Sequence, residues 1–258
     1  MIKDIHLSNI LVKLPSTFNH LSVTEFYEKY GEPETVPITQ QNGEPLPPNV
    51  PPKAVLPLDL GIPANEFKLH DSNVLLTDFG ESYSPSSEIR YGEHCRTPLD
   101  GRPPEAYFEP QRPLSFSADI WSLAVTMWEI LGMKALFSNE YITQDEMVSE
   151  HIDVLGPMPQ SWFESWKERG EFFLRDDQTL PTKREIWPKL DQAFEHGIQS
   201  YRQKLKMGDF GGEETRAFLD LMRVMLTFQP EERPTIEEVL KSEWMVKWVM
   251  PDYERAQV

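Results

Sequence analysis

Apolar residues recur at helical spacing through the middle of the chain. From Ile120 to Leu131 they are separated by three and four positions, and Trp121 adds a large apolar side chain on the other side of the same helix. A helix that is apolar nearly all round is typical of the centre of a domain. We expect Ser117 to cap its start and Gly132 to end it.

Shorter patterns predict the other elements. Residues 9–13 and Val74–Leu76 are short apolar runs typical of buried strands. Ser22 and Glu25 have the spacing of a capping box, which predicts a helix that ends at Gly31. Further helices are predicted near 144–155, 160–169, 188–204, 213–227 and 235–241.

The segment from residue 32 to residue 63 differs in composition from its surroundings. It is dense in proline, and its Asn42-Gly43 pair predicts a tight turn. We interpret residues 13–72 as a long irregular insertion rather than a core element. Scattered apolar residues such as Val50 and Leu56 are able to hold it against a surface.

Composition narrows the class of protein. The chain has 258 residues, 39% of them hydrophobic, which suits one large domain or two small ones. Its net charge of −17 argues against non-specific nucleic-acid binding. The charge would suit a basic partner, although a solvated acidic surface is the simpler interpretation. Cys95 is the only cysteine, which excludes an internal disulfide and fits a reducing compartment.

Neither a leader nor a membrane span is expected. Lys3 and Asp4 interrupt any apolar run at the start of the sequence. The longest apolar stretch, residues 119–137, contains Glu129 and Lys134, which favours a buried helix over a membrane segment. We therefore predict a cytoplasmic or nuclear location, or both.

Candidate chemistry follows from the order of several weak motifs. Asp4 and Asn9 lie five residues apart at the first predicted strand, and Asp78-Phe79-Gly80 follows the second. Glu105 comes later in the sequence Arg-Pro-Pro-Glu, and Arg233 lies in Pro-Glu-Glu-Arg-Pro-Thr. Each motif alone is weak evidence, and their order carries the argument.

Together these motifs resemble a eukaryotic protein kinase. Residues 2–9, Ile-Lys-Asp-Ile-His-Leu-Ser-Asn, are similar to the catalytic loop, and 78–80 and 103–105 are similar to the DFG and APE motifs. Residues 136–162 resemble the insert that the CMGC group carries after its central helix. The proline-rich insertion, with Asp-Phe-Gly-Glu-Ser, resembles the fungal branch of the SR-protein-kinase-like family.

The resemblance covers nearly the whole chain and implies its fold. We expect a mainly α fold with short β strands, corresponding to the C-terminal lobe of a protein kinase domain over residues 1–258. The proline-rich insertion would separate the catalytic loop from the DFG motif. The activation segment would cover 78–105 and the CMGC-type insert region 133–212.

The resemblance also implies roles for individual residues. Asp4 would accept the proton of the attacking hydroxyl, while Asn9 and Asp78 would hold Mg²⁺ ions against the phosphates of ATP. His6 stands where many Ser/Thr kinases place a lysine near the transferred phosphate. Thr97 would lie in the loop that docks the substrate hydroxyl, although its spacing from the APE-like motif is one residue longer than expected.

Other implied roles are structural or regulatory. Glu105 and Arg233 resemble a buried ion pair that ties the activation segment to a late helix. Asp119 resembles the residue that braces the catalytic-loop backbone from the central helix. Four serines are candidate phosphorylation sites, and a flexible polar loop explains them equally well. They are Ser82, Ser84, Ser86 and Ser87.

The sequence departs from the kinase pattern in two ways. Ile2-Lys3 replaces the usual His-Arg pair, and Lys3 keeps the charge without the planar guanidinium group. No glycine-rich loop and no Val-Ala-Ile-Lys-like strand occurs within the sequence. We therefore expect a C-terminal lobe without the small ATP-clamping lobe, low activity of this chain alone, and a partner on the surface left exposed.

Three functions remain open. The first is a protein kinase that transfers the γ-phosphate of ATP to Ser or Thr, with arginine- and serine-rich proteins as the suggested substrates. The second is a non-catalytic kinase-like module that binds partners, and the third is a kinase-like small-molecule phosphotransferase. Six acidic residues would be able to steer a basic peptide, although a solvated helical face explains most of them. They are Asp145, Glu146, Glu150, Asp153, Glu164 and Glu168.

Overall fold

The chain folds into two compact units. The computed structural model describes residues 5–14, 16–58, 60, 66–174 and 177–256, without the side chains of residues 16 and 17. The larger unit joins the start of the chain, up to residue 11, to residues 73–258. The smaller unit consists of residues 12–72.

Helices dominate the larger unit and strands are few and short, as expected. The strands are β1 (Ile10–Val12), β2 (Thr35–Pro37), β3 (Lys53–Val55) and β4 (Val74–Leu76). The α-helices are α1 (Val23–Tyr30), α2 (Glu105–Phe108), α3 (Phe116–Leu131), α4 (Gln144–Leu155), α5 (Gln160–Ser165), α6 (Arg169–Phe172), α7 (Leu190–Phe194), α8 (Ser200–Leu205), α9 (Gly212–Met225), α10 (Ile236–Leu240) and α11 (Met250–Ala256). Two π-helical segments are Glu195–Gln199 and Met245–Val249.

The central helix α3 organises the core of the larger unit. Trp121 and Ala124 have no exposed surface, and they belong to one cluster with Phe218 of α9 and Phe194 of α7. Burial of several large aromatic side chains supplies most of the favourable free energy of such a core. The prediction of a helix at the centre of the domain is therefore confirmed.

The start of α3 differs from the prediction. The N-cap is Ser115, whose backbone is extended, and the helix already includes Phe116 and Ser117. Ser117 therefore belongs to the first turn of the helix, and its hydroxyl lies 2.7 Å from the Ser115 hydroxyl. At the other end the Gly132 N–H donates to the Trp128 carbonyl oxygen at 2.8 Å, so Gly132 ends the helix as predicted.

The remaining helices agree with the patterns to different degrees. The predicted helix at 144–155 has those bounds, whereas the one at 160–169 is divided because the backbone at Trp166 is extended. The helix expected at 188–204 is present as one continuous helical stretch, in which the first π-helical segment lies between α7 and α8. The sequence analysis made no prediction for the helical stretch from Met245 to Ala256, which contains Pro251. The structure accommodates Pro251 in the first turn of α11, directly after a π-helical segment.

The smaller unit contains a helix and a β hairpin. The Ser22 hydroxyl accepts from the Glu25 N–H, and the Glu25 carboxylate accepts from the Ser22 N–H at 2.8 Å, so the predicted capping box is present. Gly31 ends α1 with a φ of +88°, a value that favours glycine. Strands β2 and β3 pair antiparallel with Val36 opposite Ala54. The insertion is therefore not wholly irregular, because this hairpin orders its proline-rich half.

The predicted turn at Asn42-Gly43 is also present. The Gly43 N–H donates to the Gln40 carbonyl oxygen at 3.0 Å, and Gly43 has a φ of +74°. Within the described ranges, no helix combines the length and apolar character needed to cross a membrane.

Candidate functional site

The two strands of the larger unit bring Asn9 close to Asp78. Strands β1 and β4 form a two-stranded sheet. Asn9 directly precedes β1, and its carbonyl oxygen accepts from the Thr77 N–H at 2.9 Å and from the Thr77 hydroxyl at 3.1 Å. Since Thr77 follows β4 and precedes Asp78, two residues that are 69 positions apart in sequence lie at one end of the sheet.

The backbone around these two residues has a specific shape. Leu7–Asn9 form a 3₁₀ turn in which the Asn9 N–H donates to the His6 carbonyl oxygen at 3.0 Å. Asn9 is buried, and His6 is half-buried and makes contacts of its own. The predicted catalytic Asp4 lies outside the described residues.

Asp78 adopts a left-handed backbone conformation. Its φ of +56° is uncommon for a residue other than glycine, although Asp and Asn tolerate it better than most. The carboxylate is exposed and turns back over the next glycine: a Cβ added to Gly80 would lie 3.4 Å from the Asp78 Oδ1. Phe79 is 53% exposed. Such local conformations cluster at functional sites, where surrounding structure maintains them.

Two hydroxyl side chains of α3 contact backbone carbonyl oxygens of neighbouring loops. The Ser122 hydroxyl donates to the Gly101 carbonyl oxygen at 2.8 Å. The Thr126 hydroxyl donates to the Ser122 carbonyl oxygen at 2.8 Å and also lies 3.4 Å from the Ile5 carbonyl oxygen. Sequence analysis missed both residues, although two hydroxyl side chains four positions apart in the mainly apolar stretch of α3 are a usable signal.

Thr97 and Ile5, the residue that follows Asp4 in the sequence, both lie near Gly101. A Cβ placed on Gly101 would lie 3.5 Å from the Thr97 Cγ2 and 4.0 Å from the Ile5 carbonyl oxygen. Thr97 is 3% exposed, and the Arg102 guanidinium donates to its carbonyl oxygen at 2.8 and 3.0 Å. Residues of the predicted substrate-docking loop and of the predicted catalytic loop thus both face Gly101.

Glu105 and Arg233 form a buried ion pair with two parallel hydrogen bonds. The Arg233 Nη1 and Nη2 donate to the two carboxylate oxygens at 2.8 and 2.7 Å. The remaining guanidinium N–H groups donate to the carbonyl oxygens of Ser117, Thr227 and Phe228. All five donors are therefore used, which is the condition under which a buried pair is tolerated. The pair joins α2 to the segment before α10.

A histidine lies in the aromatic cluster beneath this pair. The His151 ring is 4.5 Å from the Phe137 ring and 5.1 Å from the Trp121 ring, and Arg233 lies over Trp121. Among the described residues neither ring nitrogen of His151 has a hydrogen-bond partner. Burial, with a smaller contribution from the nearby Arg233 charge, lowers the pKa of His151 to about 3. His151 is therefore neutral at physiological pH.

Two acidic side chains have unusual surroundings near the site. Burial, together with the Asp100 charge, raises the pKa of Glu129 to about 7. Asp119 is half-buried in the first turn of α3. Burial of Tyr83, together with the negative charge of Asp119, raises the pKa of Tyr83 to about 12. The bracing role expected of Asp119 remains a prediction.

The acidic residues suggested for peptide steering differ in accessibility. Asp153 is 6% exposed and accepts from Arg184, and Glu150 is 9% exposed and accepts from Ser138. Because both are buried and paired inside the protein, that suggestion is wrong for these two. Glu146 caps α4. In the serine-rich loop, Ser84, Ser86 and Ser87 are exposed, and the Ser84 and Ser86 hydroxyls lie 2.8 Å apart.

The described residues suit a hard cation only in part. Asn9 and Asp78 offer amide and carboxylate oxygens, which are the donors that Mg²⁺ prefers. No cluster of three or more His, Cys, Asp or Glu side chains forms a metal site within the portion of the chain that is described. An ion at Asn9 and Asp78 would therefore take its other ligands from phosphate and water, as Mg²⁺ commonly does.

Comparison with known proteins agrees with this geometry. A family model described as "Protein kinase domain" matches residues 62–245. The matched region includes Asp78, Thr97, Glu105, Asp119 and Arg233, while the loop that contains Asn9 precedes it.

Relatives carry the names of serine/threonine kinases. The chain is 27% identical to "Probable serine/threonine-protein kinase dyrk2" of Dictyostelium discoideum, over 70% of this chain and 18% of the relative. It is 27% identical to a serine/threonine protein kinase of Aspergillus fumigatus, over 67% of this chain and 40% of the relative. It is 26% identical to the mitogen-activated protein kinase SLT2/MPK1 of Saccharomyces cerevisiae, over 56% of this chain and 26% of the relative. The chain thus spans less than half the length of each of these relatives, and two of the names, dyrk2 and mitogen-activated protein kinase, are of the CMGC type.

Proposed function

We propose that this chain, which belongs to the protein kinase family, contributes the catalytic and substrate-docking side of a serine/threonine protein kinase. The reaction would transfer the γ-phosphate of ATP to a Ser or Thr hydroxyl of a protein. Phosphoryl transfer requires accurate positioning and neutralisation of charge more than covalent chemistry by the protein. The arrangement of the described residues suits that requirement.

One observation carries the proposal. The two hydrogen bonds from Thr77 to the Asn9 carbonyl oxygen hold the catalytic-loop end of β1 against the residue that precedes Asp78. This contact supports a shared role for Asn9 and Asp78 as Mg²⁺ ligands. The ion would neutralise charge on the phosphates, and the two residues would fix its position.

The substrate side is supported by the position of Gly101. Thr97 and the carbonyl oxygen of Ile5, which follows Asp4 in the sequence, both face this glycine. Asp4 in this proposal accepts the proton of the substrate hydroxyl, and Thr97 helps to orient that hydroxyl. His6 would lie near the transferred phosphate. Asp119, Glu105 and Arg233 act through the fold, by holding the loops in place.

The proposed substrates are basic proteins of the arginine- and serine-rich kind. This part rests on the resemblance to the SR-protein-kinase-like family and on the net charge of −17. Of the acidic residues considered, Glu164 and Glu168 are exposed or half-exposed and remain available to a basic peptide, unlike Glu150 and Asp153. A peptide array that compares serines flanked by arginine with serines flanked by acidic residues tests this substrate preference. Equal labelling of the two kinds of peptide would contradict it.

We also propose that residues 1–258 alone transfer phosphate slowly. The sequence contains no glycine-rich loop and no Val-Ala-Ile-Lys-like strand to clamp the nucleotide, and loss of positioning costs orders of magnitude in rate. The exposed Phe79 and Leu75 are consistent with a partner or further chain that covers this end of the sheet. Tight Mg²⁺-dependent binding of ATP by the purified chain would contradict this part.

The decisive experiment measures phosphate transfer by the longest gene product that contains these residues. Asp78→Asn should lower kcat by at least about 100-fold, because charge-stabilising groups contribute that much in comparable sites. The surface variant Asp209→Asn is the matched control and should retain full activity. If Asp78→Asn and the control are equally active, the proposed role of the Asn9–Asp78 pair is wrong.

A further inference from the structure

The proline-rich loop between β2 and β3 contains none of the residues proposed for phosphoryl transfer. Its sequence from residue 47 to residue 53 is Pro-Pro-Asn-Val-Pro-Pro-Lys. It contains two prolines three positions apart, Pro48 and Pro51, followed after one more residue by Lys53. Segments of this kind adopt the polyproline II helix and are recognised in aromatic-lined grooves.

The loop presents these residues to solvent. Pro47, Pro48, Pro51, Pro52 and Lys53 are all exposed, and only the intervening Val50 is partly covered. A polyproline II helix has three residues per turn, so Pro48 and Pro51 would share one face. In that conformation the segment would present two proline rings and a cation along one edge.

The backbone of the loop favours recognition through side chains rather than by addition of a strand. Prolines have no N–H group to donate, which makes the segment a poor partner for a sheet edge. The Ile38 N–H already uses the Pro52 carbonyl oxygen at 3.0 Å. In addition, Lys53 is paired with Pro37 in the hairpin register, so the hairpin fixes the end of the segment that carries the charge.

The single charged residue of this segment lies at its C-terminal end. Lys53 is the only basic residue between Lys29 and Lys68 in an otherwise acidic chain. Among the described residues no ion pair involves Lys53. A partner with an acidic side chain at one end of its groove would therefore bind the segment in one orientation.

We propose that Pro47–Lys53 is a docking segment for a protein module of the SH3 type, with an aromatic-lined groove and an acidic residue at its end. The free loop is not yet in the bound conformation. The Val50 N–H donates to the Pro47 carbonyl oxygen at 2.9 Å and closes a turn, whereas polyproline II has no internal hydrogen bonds. Binding therefore opens this turn, and the module selects the extended form of the loop.

The test measures binding of the full chain to an array of purified SH3 domains, with purified WW domains as a second arm. We expect at least one SH3 domain to bind saturably. Pro48→Ala and Pro51→Ala should each weaken that binding about tenfold, because each substitution removes two methylene groups from the contact. Lys53→Glu should weaken it further, and added salt should weaken the wild-type complex.

The matched control is Pro33→Ala, an exposed proline of the same unit outside the segment, which should bind like wild type. A synthetic peptide of residues 43–55 and its Pro48→Ala form repeat the comparison without dependence on folding. The proposal is overturned if no SH3 domain binds chain or peptide, if binding survives the proline substitutions, or if only WW domains bind. Kinase activity is not part of the readout, so the test is independent of the proposed function.

Discussion

Replacement of the buried His151 by leucine should remove much of the acid sensitivity of this fold. The ring is fully enclosed by Phe137 and Trp121, and no described group accepts a hydrogen bond from it. Burial lowers the pKa of His151 to about 3 in the folded chain, from the ordinary histidine value of 6.5. Between these two values the unfolded chain binds a proton that the folded chain does not.

The sign and size of the effect follow from proton linkage. A lowered pKa in the folded state means that stability is present above pH 6.5 and is lost as the pH falls toward 3. Each pH unit in this window changes the free energy of unfolding by about 1.4 kcal/mol. From pH 7 to pH 5 the contribution of His151 is therefore a loss of about 2 kcal/mol.

The assay is equilibrium urea unfolding of wild type and His151→Leu at pH 7 and pH 5. Other groups also titrate in this range, so the quantity of interest is the difference between the two proteins. Wild type should lose about 2 kcal/mol more than the variant. The matched control His196→Leu changes an exposed histidine and should keep the wild-type dependence. Equal pH dependence of wild type and His151→Leu would refute the reasoning.

Three further predictions concern single residues of the larger unit. Arg233→Ala should lower the free energy of unfolding by about 3–5 kcal/mol, since it leaves Glu105 buried without its cation, and a loss below about 1 kcal/mol in urea unfolding would contradict the buried pair. Gly92→Ala should lower the free energy of unfolding by about 1–3 kcal/mol in thermal unfolding, because the added Cβ would lie 2.9 Å from backbone atoms of α2. In the control Gly101→Ala the added Cβ meets nothing closer than 3.5 Å, so the stability should stay near that of wild type. Glu129→Gln should raise the free energy of unfolding by about 1–2 kcal/mol at pH 8 and leave it unchanged at pH 4. The reason is that the raised pKa of Glu129 in the folded state makes stability fall as the pH rises from 4.5 toward 7. The same gain at both pH values would exclude a titration effect.

The sequence predicts those elements that local chemistry determines. Ser22 and Glu25 specify the start of α1 through a capping box, which needs only three residues of context. The strand at Val74–Leu76 and the helix at Gln144–Leu155 appear with the predicted bounds, but the expected burial of the strand is wrong, because Val74 and Leu75 are exposed. The hairpin of β2 and β3 was missed because proline usually argues against strands, and only the pairing partner reveals it.

The arrangement of the candidate site depends on contacts between distant segments, which local patterns do not encode. Motif order suggested that Asn9 and Asp78 act together, while the Thr77 hydrogen bonds that link them become visible only in the fold. Burial explains the error about Glu150 and Asp153. Their spacing on α4 suits a solvated face, and the face is covered by side chains from outside that helix.

The pairing of β1 with β4 also bears on how this chain is able to vary. Because the Asn9 end of β1 lies against the Thr77 end of β4, the two strands run antiparallel, and the opposite ends are where residues 13–73 leave and return. Closing a long loop costs little more than closing a short one. A change in the length or sequence of the segment therefore need not disturb the strand pair, so this stretch is able to vary while the hydrogen bonds between Thr77 and Asn9 are kept.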